Sequence, residues 1–303
     1  MTQSTNAIDL SQLPEPTVVE QINYETILDA GLQEYYRRMD ALGISYTRLR
    51  ESDPAYKLAE VFAFREMIVR QHVNDSAKAV LLAYSSGIDL EHKAAEKNLK
   101  RQLITAETST TKAIYETDAS LRKRVQLAPE GQTTAGSEGS YIFHGLNADV
   151  RVKDIYPYAP LDENQNPMGI CNIYVLSTEG NGTASEDLLN VVNTALNAKS
   201  VRPLTDRPII YSASIINYII EAEIYIDERP DETIVLNSCY KATEEYIQKV
   251  HSFNDGVSLS GIYQALHQAG VSRVNLISPA SNIDTSIGQV AYCTSINISK
   301  VDT

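Results

Sequence analysis

Leu146–Asp206 reads LNADVRVKDIYPYAPLDENQNPMGICNIYVLSTEGNGTASEDLLNVVNTALNAKSVRPLTD, and the order of its signals decides the fold. Val150–Tyr158 is rich in β-branched and aromatic residues and reads as a strand. Pro160–Gly169 collects Pro, Asn, Asp and Gly and reads as a turn. Ile170–Leu176 is a second apolar run of strand length. Glu179-Gly180-Asn181-Gly182 then feeds a helix, with Ser185 placed to accept from the first free amides and Glu186-Asp187 meeting the helix dipole. That helix is expected to end at the Arg202-Pro203 step, since proline disfavours helical geometry in the residue before it. A strand follows from Pro208.

The C-terminal side repeats this grammar. Pro208–Asp227, rich in Ile, Tyr, Ala and Ser, is long enough for a bent strand or a hairpin. Arg229-Pro230-Asp231-Glu232-Thr233 opens a helix running to about Phe253, and Ser258–Ala269 forms another that stops at Gly270. Val271–Ser278 and Val290–Val301 close with two strands. Strands with helices over one face make layered α+β modules.

The N-terminal side is helical. Leu28, Leu32, Tyr35, Met39 and Leu42 step in a coiled-coil-like stripe that Gly43 ends. Ser52-Asp53-Pro54 announces a second helix. Nothing obvious stops it before Ser85-Ser86-Gly87, so Pro54–Tyr84 predicts a rod of about 45 Å. Leu58, Val61, Phe62, Ile68, Val69, Val73, Val80 and Leu81 place apolar groups on more than one face of that rod. A helix with two apolar faces needs two things to pack against, and these residues together with the Leu28–Leu42 stripe are the candidate partner interface. The stripe can equally pack on Leu58–Leu81 within one chain. Asp89–Lys100 reads as a shorter helix, Thr105–Thr117 as a weakly patterned strand or link, Asp118–Leu127 as a basic helix, Pro129–Ser140 as a loop and Gly139–Ala148 as a short helix.

The fold class is therefore α+β, a helical N-terminal region followed by two small α+β modules. The expected divisions are an extended arm at 1–17, where Leu13-Pro14-Glu15-Pro16 forbids a helix, a helical partner-binding region at 18–104, and modules at 105–206 and 207–303.

Composition narrows the function. The 303 residues carry 26 Lys+Arg against 39 Asp+Glu, a net charge of −13 that disfavours nucleic acid, and no basic stretch clusters strongly enough to offset it. Cys171, Cys239 and Cys293 lie far apart with no Cys-x-x-Cys pair, which argues for free thiols in a reducing compartment and against zinc. Met1–Leu13 lacks a basic and apolar leader, and no run approaches the roughly 20 apolar residues of a membrane span, so a soluble protein made in the cytoplasm is expected. Eighteen Tyr and no Trp suit half-buried strands or surfaces that a partner covers.

Two loops invite an enzymatic reading. Gly180-Asn181-Gly182-Thr183-Ala184-Ser185 follows a strand and opens a helix, as a dinucleotide fingerprint does, but Ser185 replaces its last glycine and Glu186-Asp187 stand where pyrophosphate would sit. Thr133-Thr134-Ala135-Gly136-Ser137 lacks the lysine of a phosphate loop. A nucleotide-dependent or hydrolytic enzyme using one of these Gly-rich loops is the alternative. His72, His92, His144, His251 and His267 show no metal-ligand spacing, and no nucleophile signature occurs. No cofactor, metal or catalytic residue is assigned.

Several pieces in fixed order resemble the baseplate J-like family of contractile phage tails. They are Asp53-Pro54, Arg65-Glu66, Leu82-Ala83-Tyr84-Ser85-Ser86-Gly87-Ile88-Asp89-Leu90, Glu116-Thr117-Asp118 and Leu121-Arg122-Lys123-Arg124-Val125. Thr133–Ser137 with Tyr141, Gly270-Val271-Ser272-Arg273-Val274 and Ile277-Ser278-Pro279 follow. Arg202-Pro203-Leu204-Thr205-Asp206 is the most specific piece. One departure is Glu91-His92-Lys93-Ala94-Ala95, where the family often continues with a Leu-Ala pair.

The resemblance implies a structural wedge component, not an enzyme, that assembles as a ring around the central hub, links tail fibres to sheath initiation and passes on the contraction trigger. It implies a place in the virion tail baseplate after assembly in the host cytoplasm. The implied partners are a second copy of the chain, the wedge protein I that links to tail fibres, a small sheath-initiator protein and, indirectly, the central spike hub, with no nucleic acid and no membrane. Arg202, Pro203, Leu204, Thr205 and Asp206 would be its structural motif.

Overall fold

The computed structural model describes residues 8, 10, 13, 14, 16, 18–108, 111–133, 136–166, 168–226 and 231–301. Most of the expected arm at 1–17 lies outside them, as do Thr134-Ala135 and Arg229-Pro230. The chain is mixed α+β with a helical N-terminal region and divides into two compact units, one formed by Ile8–Arg101 and Thr117–Val125, the other by Gln102–Glu116 and the chain from Gln126 onward.

The helical unit starts with α1 (Tyr24–Ala41), whose N-cap Asn23 side chain accepts from the Thr26 amide and whose end is turned by Gly43 at φ +64°. α2 (Pro54–Ala79) carries proline in its first turn, where the missing N–H costs nothing. The two run antiparallel as a hairpin. Ile27, Leu28 and Ala63 are buried between them, with Ile22, Tyr24, Leu32, Tyr56, Ala59 and Met67 packed around. At the far end the Asn74 side chain makes two bonds to the Glu20 backbone, accepting from its N–H at 3.1 Å and donating to its carbonyl at 2.9 Å.

The rod expected to reach Tyr84 stops at Ala79. Beyond it Leu82 turns into a second small core of Leu90, Ala94, Leu121 and Val125, and the Arg122 guanidinium donates to the freed carbonyls of Leu82 and Ser85. α3 (Gly87–Ala95) likewise ends before the expected Lys100. Asn98 adopts φ +57°, the Leu99 amide bonds back to the Ala94 carbonyl, and Leu99 covers the same core. α4 (Asp118–Leu127) occupies the expected residues. The Asp118 carboxylate accepts from the Gly87 amide and pairs with Arg101 at 2.6 Å, contacts that hold it below the usual carboxylate range.

The second unit contains an antiparallel ribbon of β1 (Leu103–Thr105) and β2 (Ile114–Tyr115), exposed along its length. The first three-stranded sheet follows the order read from Leu146–Asp206. β3 (Val152–Tyr158) pairs antiparallel with β4 (Ile170–Ser177), and β4 pairs parallel with β5 (Arg207–Ser212) across the helix α6 (Glu186–Leu196). α5 (Glu138–Ala148) and α6 cover one face, burying Tyr141, Ile142, Leu146, Leu188, Val192 and Leu196 on Ile155, Ile173 and Val175. A Cβ on Gly145 would stand 2.7 Å from Ile155, so glycine sets how closely α5 approaches the sheet. Because β5 starts at Arg207, this sheet takes its last strand from beyond the motif.

The second sheet has the order β7-β6-β8, with β6 (Ser214–Ile226) central, antiparallel to β7 (Val271–Ser278) and parallel to β8 (Gln289–Lys300). α7 (Glu232–Val250) and α8 (Leu259–Leu266) cover it, closing a core around Ile220, Ile224, Cys239, Ile262 and Leu266. Pro208–Asp227 is therefore a bent strand rather than a hairpin over its described residues. The bend is at Ala213, whose amide bonds the Val175 carbonyl of the first sheet, while the next amide, of Ser214, bonds the Gly288 carbonyl at the start of the second.

Candidate assembly surfaces

The hairpin residues named from sequence divide by burial. Leu28 is 5% exposed, inside the α1–α2 contact, and Leu32, Tyr35 and Met39 are half-buried. Leu42 is 72% exposed. On α2 and its C-terminal cap, Leu58, Val61, Phe62, Ile68, Val69, Val73, Val80 and Leu81 are all exposed, Phe62 by 64%. α1 takes only the side of α2 that carries Tyr56, Ala59, Ala63, Met67 and Asn74.

Leu58, Phe62, Val69, Val73 and Val80 step by four, seven, four and seven residues. That is an eleven-residue repeat, which keeps a stripe on one side of a nearly straight helix. Beside it an apolar groove of about 240 Å³ lies between the two helices, lined by Ile27, Gly31, Leu32, Tyr35, Leu58 and Phe62 among others. Exposed Phe64 and Ile88, and the β1–β2 ribbon residues Leu103, Ile104, Ile114 and Tyr115, were not singled out by the sequence reading. The ribbon's signal was too short, two or three residues per strand, to separate from the surrounding Thr-rich segment.

The Arg-Pro-Leu-Thr-Asp motif forms a locked corner between α6 and β5. The Tyr141 hydroxyl donates to Asp206 at 2.8 Å, and burial together with that carboxylate raises the phenol's pKa. Burial first and the Asp206 charge second push the Cys171 thiol up to about 11. Gly136, at φ +72°, presses on the corner: a Cβ there would meet Asp206 and Pro203 at 2.5 and 2.7 Å. Arg202 donates to the Asn197 side chain at 3.3 Å and Thr205 to Asp206 at 3.4 Å. Leu204 is 100% exposed at the tip.

The loop Gly180–Ser185 spends its polar groups internally. The Gly182 amide bonds the Glu179 carbonyl, the Gly182 carbonyl accepts from Ser177, Thr183 bonds the Asn181 side chain, and Ala184 bonds Ser212. A Cβ on Gly182 would meet Leu176 at 2.6 Å and His251 at 2.9 Å, so protein side chains fill the space where a phosphate would approach. In the other loop Ser137 caps α5 by accepting from the Ser140 amide. His251 sits 2.8 Å from the Lys153 ammonium, and burial plus that charge pull its pKa down to about 4. Among the described residues no cluster of His, Cys, Asp and Glu is arranged to hold a metal ion, and no helix is long and apolar enough to cross a membrane.

Residues 51–108, which include all of α2 and α3, match the model of the Baseplate J-like N-terminal domain. Over 298 residues, covering 96% of this chain and 97% of the relative, the sequence is 42% identical to "Baseplate protein J" of Escherichia phage P2. At that identity, sustained from end to end, the chain belongs to the baseplate protein J family.

Proposed function

We propose that this chain is a wedge component of a contractile phage tail baseplate, built to be completed by neighbours and not to turn over a substrate. Family membership supports a structural role in the virion's tail baseplate. The wedge role, ring assembly around the hub and passage of the contraction trigger are the finer reading. The observation that carries it is the apolar stripe Leu58, Phe62, Val69, Val73, Val80, each more than half exposed along a helix of 26 residues. Burying such side chains contributes about 1 kcal/mol or more each, enough in sum to offset part of the cost of association. In this reading the helical region 18–104 is the partner-binding part, and a second copy, the fibre-linking wedge protein I and a small sheath initiator are its partners, with the spike hub contacted indirectly. The modules at 105–206 and 207–303 bear on neighbouring wedges.

The test is light scattering of the purified chain alone and with its candidate wedge partners. Association is expected, and Phe62→Glu with Val69→Glu should weaken it at least tenfold while leaving the circular dichroism spectrum unchanged, since both side chains face solvent. A chain that stays monomeric at every concentration and with every partner overturns the reading.

A further inference from the structure

A groove of about 910 Å³ runs between α7 and the outer edge of β8, well away in sequence from the helical hairpin. Its walls are Tyr240, Ile247, Tyr292, Cys293 and Ile296, and its volume is at the upper end of sites that bury most of a small ligand. β8 is an edge strand, and its register with β6 slips at Thr294, between Cys293 and Ser295. Such a bulge blunts an edge against strand pairing. Further along, the Tyr240 hydroxyl takes both the amide and the carbonyl of Ile298. The groove is therefore shaped for a side-chain anchor more than for an added strand. Glu244 and Glu245 stand on its rim, exposed and without an ion pair among the described residues, beside one Lys241.

The same unit carries a match for it. Leu204 projects fully exposed from a corner held by the Tyr141–Asp206 bond, so the backbone that presents it is held in place before any contact. Near it in sequence are exposed Lys199 and Arg207 and half-buried Arg202, three positive charges against the one negative charge of Asp206, on a chain of net charge −13. Two such copies repel each other in general, so a basic tip facing an acidic rim selects one orientation.

We propose that the Leu204 corner of one copy docks in the α7–β8 groove of a second copy, with Lys199, Arg202 and Arg207 facing Glu244 and Glu245. This deepens, and rests on, the reading that the chain associates with itself. Corner and groove are different surfaces, so the contact is head-to-tail: repeated, it closes a ring if the rotation per copy divides a full turn, and otherwise extends as a filament.

Cys293 in the groove supplies the test. In the full chain, Leu204→Cys changes a side chain that touches nothing, and a short bis-maleimide should join it to Cys293 of another copy. A ladder of dimers and higher species is expected, absent in the parent and in L204C/C293S, and reduced at least tenfold in yield by L204C/E244K/E245K. No ladder, or a ladder that survives C293S, overturns the contact. Self-association that persists by light scattering without this cross-link would leave the helical-stripe reading standing while removing this one. A cross-link that survives Phe62→Glu/Val69→Glu would show the corner contact to be independent of the stripe.

Discussion

Asp206 holds its corner through one hydroxyl 65 residues away in sequence. Tyr141→Phe leaves the ring in its core and the half-buried Asp206 carboxylate with only the longer Thr205 bond, so a loss of about 1–2 kcal/mol in urea unfolding is expected. Gly136→Ala must put a Cβ against Asp206 and Pro203 at a positive φ, and should cost about 1–3 kcal/mol. His251 makes a pH prediction. Its pKa is depressed from 6.5 to about 4 in the fold. Above 6.5 both folded and unfolded forms are neutral and stability is flat. As pH falls from 6.5 to 4 the unfolded chain takes up the proton first, so the His251 contribution to stability declines, by about 3 kcal/mol at most, and then levels. His251→Gln should flatten that part of the urea midpoint against pH. The sequence named Tyr141 and Asp206 as pieces of a resemblance and Gly136 also as part of a candidate phosphate loop; nothing local paired them, because the bond depends on how α5 and the corner before β5 meet across the sheet. His251 likewise carried no signal, since its partner Lys153 is 98 residues away.

Among the elements, helix starts were more legible than helix ends. Pro54, Ser185 and Ser258 mark starts, and in the structure the Ser185 and Ser258 side chains each accept from an amide of the first turn; Ser137 does the same for α5, where the sequence predicted a start at Gly139. α6 ends at Leu196 with Asn197 as its cap, short of the expected Arg202-Pro203 step, and α2 and α3 stop early for a tertiary reason: Leu82 and Leu99 leave the helix to cover Leu90 and Leu121. A bend between β5 and β6 was one of two sequence alternatives, but its position was hidden because Ile209–Ile220 is apolar and β-prone on both sides of Ala213. Which faces of α2 stay bare was half legible. The spacing showed two apolar faces, and only packing revealed that α1 chooses the side with Ala63 and Asn74. That choice is anchored by two hydrogen bonds, so Asn74→Ala should destabilise the hairpin by about 1–3 kcal/mol. Loss of amide protection near Glu20, measured by hydrogen exchange, is the readout.

At the scale of the molecule, two compact units with separate cores predict two calorimetric transitions. The helical unit should melt first, because its buried clusters are the small ones around Leu28 and Leu90 while the other unit holds the large cores of both three-stranded sheets. A net charge of −13 opposes self-association at long range. Raising salt from about 10 to 150 mM shortens the screening length from roughly 30 to 8 Å, so association measured by light scattering should strengthen over that range.

The continuous run from Arg207 to Ile226 has a mechanical side. Tension applied at one end passes along covalent backbone from the first sheet to the second with only Ala213 between them. Within the second sheet that backbone is flanked on both sides by hydrogen-bonded neighbours, so a pull along it loads those bonds in shear, where many must yield together. Stretching the splice between the two sheets therefore requires that whole ladder to give way at once.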